Sequence, residues 1–206
     1  GNGVGPRLFS QTAGGLAANR IAKWNGTSWA PLGTGTTDAV HAIAISGADI
    51  YVGGRFANAG GVLASRIAKW DGTTWSALGS GVAWVSGSDP NLQVATIAIS
   101  GSDVYVGGGF TKAGDAPANN IAKWNGTTWS ALGEGLIQTG STYAPVRTIS
   151  INGTDVHVGG TFDRVAGSTR KGFAKWNGTS WVSTGTGVAN GNQAAGILDF
   201  VFIGND

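Results

Sequence analysis

Residues 39–78 hold four short runs in which apolar side chains alternate with small or polar ones, each run bounded by turn residues. They are Ala39–Ser46 (AVHAIAIS), Asp49–Phe56 (DIYVGGRF), Ser65–Trp70 (SRIAKW) and Thr74–Leu78 (TWSAL). A period of two marks strands with one buried face. The same four runs return at Val94–Ser100, Asp103–Phe110, Asn120–Trp124 and Thr128–Leu132. They return again at Val146–Asn152, Asp155–Phe162, Gly172–Trp176 and Ser180–Ser183. No stretch carries a helical period of useful length. The third and fourth runs are joined in RIAKWNGTSW (Arg20–Trp29), RIAKWDGTTW (Arg66–Trp75), NIAKWNGTTW (Asn120–Trp129) and GFAKWNGTSW (Gly172–Trp181). Asn-Gly and Asp-Gly tolerate positive φ, so each copy predicts a β-hairpin closed by a tight primed turn.

Trp24, Trp70, Trp124 and Trp176 open spacings of 46, 54 and 52 residues. Four short strands in a repeat of this length predict the blades of a β-propeller, not a helical solenoid. The chain starts with a second-strand equivalent, Gly3–Phe9 (GVGPRLF), and finishes with a first-strand equivalent, Gly196–Ile203 (GILDFVFI). The expected fold is therefore all-β: one four-bladed propeller domain, its ring closed by the C-terminal strand pairing with the N-terminal blade. Blade one takes residues 1–33 plus 195–206, blade two 39–80, blade three 93–134 and blade four 145–184. The alternative is a four-blade part of a larger ring or filament, since complementary ends arise there too.

The order of apolar strand, glycine-containing turn, Tyr51-Val-Gly-Gly54 or Tyr105-Val-Gly-Gly108, then Ile-Ala-Lys-Trp and a second Trp resembles the kelch repeat. By extension it is similar to the central domain of galactose oxidase, and most of all to kelch-like repeats of bacterial extracellular proteins. Trp24, Trp70, Trp124 and Trp176 stand where kelch repeats usually carry Tyr. The resemblance covers essentially the whole chain. It implies a propeller and an extracellular or cell-surface location. It does not carry over galactose oxidase's copper chemistry, which needs a Cys–Tyr cross-link and His ligands.

Composition narrows the function classes. Glycine supplies 37 of 206 residues and charged residues only 12%, as tight turns and short strands require. The net charge of +2 is spread along the chain, which argues against nucleic acid as a partner. Without cysteine there is no disulfide, thiolate metal site or thiol nucleophile. No apolar run approaches the length of a membrane span, so no membrane insertion is expected.

Eight of the nine tryptophans recur at fixed repeat positions, which favours packing over a site, although the same rings could stack on sugars. Lys23, Lys69, Lys123 and Lys175 recur too and are expected to lay their stems over a blade face. Asn25, Asn125, Asn152 and Asn177 head formal glycosylation sequons, which their Asn-Gly turns explain without a glycan. On the first strands Ala42, Ala44, Thr96, Ala98, Thr148 and Ser150 are small, as four strands around one axis demand. Asp199 aligns with Ala42, Thr96 and Thr148. It is a candidate ligand for a structural cation on that axis, the one cofactor expected, against a plain hydrogen-bonded carboxylate.

Variation between repeats concentrates in the links from fourth to first strand and from second to third strand. Both kinds leave the same face of a blade, and loops on a rigid scaffold are where binding groups sit. Trp84, Asp89, Lys112, Asp115, Tyr143, Arg164 and Arg170 are the candidate ligand-binding residues. No catalytic set stands out: His41 and His157 lie in different repeats, and no pair among the eleven carboxylates is singled out. The expected function is a non-enzymatic extracellular binding or structural module with a protein or glycan partner on the loop face. The alternatives are a carbohydrate-binding lectin with Trp84 and Tyr143 as stacking groups, a polysaccharide hydrolase or lyase, and self-association.

Overall fold

A computed structural model describes residues 12–84, 92–139, 145–182, 184–185, 187–190, 193–194 and 196–200. These residues are all-β, with no helix among them. Three four-stranded antiparallel sheets follow the last three repeats. The first comprises Val40–Ser46, Asp49–Gly54, Ile67–Trp70 and Trp75–Ala77. The second comprises Gln93–Ser100, Asp103–Gly109, Ile121–Trp124 and Trp129–Ala131, and the third Val146–Asn152, Asp155–Gly160, Phe173–Trp176 and Trp181–Val182. In the first repeat Ala22–Trp24 pairs with Trp29–Pro31, behind a small hairpin of Thr12–Ala13 and Leu16–Ala17.

The Asn-Gly hairpins correct the expectation of a two-residue primed turn. Trp24 pairs with Trp29, which leaves four residues in the connection, and of these only Gly26 has positive φ, at 101°. The reason is the side chain of Asn25. Its Oδ1 accepts the backbone N–H of Thr27 at 2.9 Å and of Ser28 at 2.8 Å, doing locally what a tight backbone turn would do. Asp71 does the same for Thr73 and Thr74, and these bonds hold its carboxyl well below the usual carboxylate range.

The double glycine of each second strand has a steric cause. A Cβ on Gly53, Gly107 or Gly159 would stand under 3.0 Å from Val94, Val146 or Ile197, side chains that belong to the following repeat unit. A Cβ on Gly54, Gly108 or Gly160 would strike the carbonyl of Ala39, Gln93 or Pro145 at the start of the paired first strand. That first strand is bulged at the same place in all three sheets, between Val40 and Ala42, Val94 and Thr96, and Val146 and Thr148. One glycine thus admits the next repeat and the other admits the bulge.

The cores lie between repeats. Ile67, Leu78 and Val82 of the second repeat pack with Val94, Val104, Val106 and Phe110 of the third. Leu132 and Leu136 of the third pack with Val146, Val158 and Phe162 of the fourth, and Ile21 and Leu32 of the first with Val52 and Phe56 of the second. Phe56, Phe110 and Phe162 are fully buried. The small-faced first strands of neighbouring sheets lie against one another.

Residues 196–200 form no ladder among the described residues, and the strand partner expected for them, residues 3–9, lies outside those residues. Ile197 and Phe200 approach Gly159 as Val94 and Ile97 approach Gly53, and Ile197 N–H donates to the Gly160 carbonyl at 3.3 Å. Among the described residues no helix is long and apolar enough to cross a membrane.

Candidate functional site: the linker face

The links between sheets are not free loops. Val82–Ala83, leaving the second repeat, pairs with Lys112–Ala113 in the third, which turns back to pair with Ala116–Pro117. Leu136–Ile137, leaving the third repeat, pairs likewise with Arg164–Val165 of the fourth, which pairs with Ser168–Thr169. At the first junction the pattern shrinks to one bridge, Thr36 to Ala59. Each of these three fourth-to-first links is thereby hydrogen-bonded to the second-to-third loop of the next repeat. The two variable connections singled out in the sequence do share a structure, a row of small sheets between the main ones.

This row gathers some of the candidate residues and separates others. Ala83 sits directly opposite Lys112, so half-buried Trp84 leaves the small sheet at its Lys112 end, while Asp115 lies in the turn at the other end. Lys112 Nζ and Asp115 Oδ1 are 3.4 Å apart with Asp115 fully exposed, a contact of little energy that leaves both groups open to a partner. Arg164 takes the position of Lys112 in the following repeat and donates to the Gly167 carbonyl at 3.3 Å; Arg170 donates to Thr169 at 2.9 Å. The candidates therefore form two clusters, one in each of two successive links. Asp89 and Tyr143 lie outside the described residues.

Asp163 belongs beside them and was not singled out in the sequence. Its Oδ1 accepts from Thr139 N–H at 2.8 Å and Thr139 Oγ1 at 3.2 Å, tying the link to the loop it pairs with. Only the pairing of link to loop, which crosses repeats, reveals this role.

The recurrent lysines do more than cover a face. Lys69, Lys123 and Lys175 bond Asp49, Asp103 and Asp155 at 3.1, 3.0 and 2.7 Å. The bond to Asp49 raises the Lys69 pKa. The signal was present as a constant separation of twenty residues between each pair. Lys23 has Gly3 at that separation.

Asp199 is held as a hydrogen-bonded carboxylate: its Oδ1 accepts from Thr148 Oγ1 at 3.0 Å and Phe200 N–H at 2.8 Å. Among the described residues no three His, Cys, Asp or Glu side chains gather to hold a metal ion. The histidines stay apart. His41 lies on the first strand of one sheet, its pKa lowered by burial and by Arg55. His157 lies on the second strand of another, stacked 6.1 Å from Phe173 and lowered chiefly by burial.

The tryptophans pair within every hairpin, with ring centroids 5.4 Å apart. In three of the four pairs the second ring donates its indole N–H backward, Trp129 to the Leu78 carbonyl at 2.7 Å for example, so that donor is committed to packing. What remains open is ring face. A groove of about 480 Å³ at the junction of the second and third repeats is lined by Trp124, Trp129, Asp115, Thr127 and Thr128. No protein-family model matches the chain, and no curated protein matches its sequence.

Proposed function

We propose that the chain is a four-bladed, kelch-like β-propeller serving as a non-enzymatic binding module of an extracellular or cell-surface protein. Its partner is a protein or a glycan, taken on the linker face by Trp84, Lys112, Asp115, Arg164 and Arg170. The observation that carries this reading is the cross-repeat pairing of links with loops. Side chains that differ from repeat to repeat are held there on paired backbone, in a row, while the repeated residues are spent on packing. Pre-ordered loops lose little entropy on binding, which is the condition for a recognition surface.

The test is a glycan array followed by pull-downs with the folded chain, repeated with Trp84→Ala and Lys112→Ala/Asp115→Ala. Loss of capture in these variants at unchanged thermal stability supports the assignment. Capture that survives all three substitutions refutes it.

The groove beside Trp124 and Trp129 favours a second reading, a lectin. Apolar ring faces next to a carboxylate and two threonine hydroxyls match the mixed faces of a pyranose. Array binding lost on Asp115→Ala but kept on Trp84→Ala would select it. Running the array with calcium and again with chelator tests the proposed cation at Asp199 in the same experiment.

A further inference from the structure

Three junctions between consecutive repeats are built to one plan. Trp75 Nε1 donates to the Leu32 carbonyl at 2.8 Å, Trp129 Nε1 to Leu78 at 2.7 Å and Trp181 Nε1 to Leu132 at 2.8 Å. The glycine after each leucine lies flat on the tryptophan pair. A Cβ on Gly33 would meet Trp70 and Trp75 at 3.3 Å, one on Gly79 would meet Trp124 at 3.1 Å, and one on Gly133 would meet Trp176 at 3.3 Å. Each junction is thus a Leu-Gly dipeptide seated on two indoles of the next repeat, through one backbone acceptor and one bare Cα.

Both halves of a fourth such junction exist, and among the described residues neither is seen against the other. Trp24 and Trp29 keep the 5.4 Å arrangement of the other pairs. Trp29 is braced from behind by Gly14 as Trp75 is by Gly60 and Trp129 by Gly114. Yet Trp24 is 49% and Trp29 43% exposed, and Trp29 Nε1 has no acceptor among the described residues. At the other end, Trp181 is followed by Thr184-Gly185 where Trp75 is followed by Leu78-Gly79. A Cβ on Gly185 would meet nothing within 4 Å, and the Thr184 hydroxyl is buried without a partner. The contact uses the backbone carbonyl, so threonine serves as well as leucine; glycine is retained where the ring needs it.

We infer that Thr184–Gly185 of the same chain is the partner of the Trp24–Trp29 pair. Trp29 Nε1 donates to the Thr184 carbonyl and Gly185 lies on the two rings. This rests on the four-bladed reading and adds to the strand pairing at the chain ends a second, indole-based lock. The occupant is the chain's own fourth repeat for two reasons. The surface continues an interface already made three times. Tethering also gives the two halves a local concentration of about millimolar, which a second copy in dilute solution does not match. Ile197 and Phe200, seated on Gly159, show the chain beyond Gly185 already running in the register of a following repeat.

Indole hydrogen exchange by NMR tests this, with Trp29→Phe assigning the resonance. At concentrations where sedimentation shows a monomer, the Trp29 indole N–H should exchange about tenfold or more slower than a free indole, alongside those of Trp75, Trp129 and Trp181. Gly185→Val should return Trp29 alone to fast exchange. Fast exchange of Trp29 in the unaltered chain overturns the proposal, as does protection that appears only where dimers form, which would assign the surface to a second copy. Small-angle scattering separates the two levels of failure. A radius of gyration near the ~17 Å of a compact chain of this length, with fast Trp29 exchange, removes the lock alone. A larger radius with fast exchange removes the closed ring with it.

Discussion

Trp29 and Trp75 occupy the same position in successive repeats, end the same kind of hairpin and face an equivalent partner ring at the same 5.4 Å, yet Trp29 is 43% exposed and Trp75 7%. Ile43 and Ile149 differ likewise, 55% against 9%, on equivalent first strands. Side chain, turn and strand are shared; what differs is the neighbour. Leu32 and Gly33 lie over Trp75, and among the described residues no such dipeptide contacts the rings of the first hairpin. Burial in this chain is thus decided at the junctions, and stability should follow a sum of nearest-neighbour terms.

The largest test of that contrast is Phe110→Ala. Phe110 fills the junction of the second and third repeats and is fully buried, so its truncation should cost about 3–5 kcal/mol in urea unfolding. A loss below 1 kcal/mol would break the claim that junctions hold the chain. Next comes Gly107→Ala, which drives a methyl into Val146 of the following repeat and should cost about 1–3 kcal/mol by overpacking. The matched alanine at Gly72, with nothing within 4 Å, meets no neighbour and probes only the strain of positive φ, so a loss at Gly107 as small as at Gly72 would count against steric admission as the reason for the double glycine.

Trp129→Phe removes one indole donor from an interior junction and should cost about 1 kcal/mol. Trp29→Phe sharpens the comparison: an equal loss is expected if Thr184 receives that indole, and a loss confined to Trp129 would leave the first hairpin an open end. The smallest effect is acid sensitivity at His157. Burial, reinforced by Lys175 and opposed by Asp155, puts its folded pKa below the ordinary histidine value. The neutral form is therefore favoured by folding, and that stability is present above about pH 6.5 and lost as pH falls toward the folded value. His157→Tyr, matching Tyr51 and Tyr105, should flatten the drop in thermal midpoint between about pH 7 and 5. An unchanged slope would place the acid sensitivity elsewhere.

Much of the fold was legible because it repeats. Periodic alternation placed twelve strands of three sheets to within one or two residues, for example Asp49–Phe56 against the observed Asp49–Gly54. Side-chain chemistry within the hairpins was less legible. Asn-Gly read as a primed turn because the rule concerns φ, whereas the carboxamide of Asn25 caps two backbone amides and makes positive φ at Asn25 unnecessary. The Lys–Asp pairs were not legible from strand alternation, because each aspartate stands on the neighbouring strand and only the shared twenty-residue separation links the two. Of the candidate surface, variability between repeats pointed to Trp84, Lys112, Asp115, Arg164 and Arg170. That Val82–Ala83 would bond to Lys112–Ala113 was not readable, since two-residue strands leave no period to detect. Asp163 was missed for the same reason.

The pairing of each link with the following loop also sets where the chain can be recombined. A cut in the link after Leu78, at Val82–Ala83, severs the small sheet that reaches into the third repeat, and a cut in the loop at Lys112–Ala113 severs the same sheet from the other side. The tip of a hairpin such as Asn125–Thr128 closes on itself through Asn125. A transferable cassette therefore runs from hairpin tip to hairpin tip, half a repeat out of phase with the sheets. Within such a cassette a grafted pair of connections arrives with its own backbone partners, and the specificity of the face can be exchanged without rebuilding the scaffold.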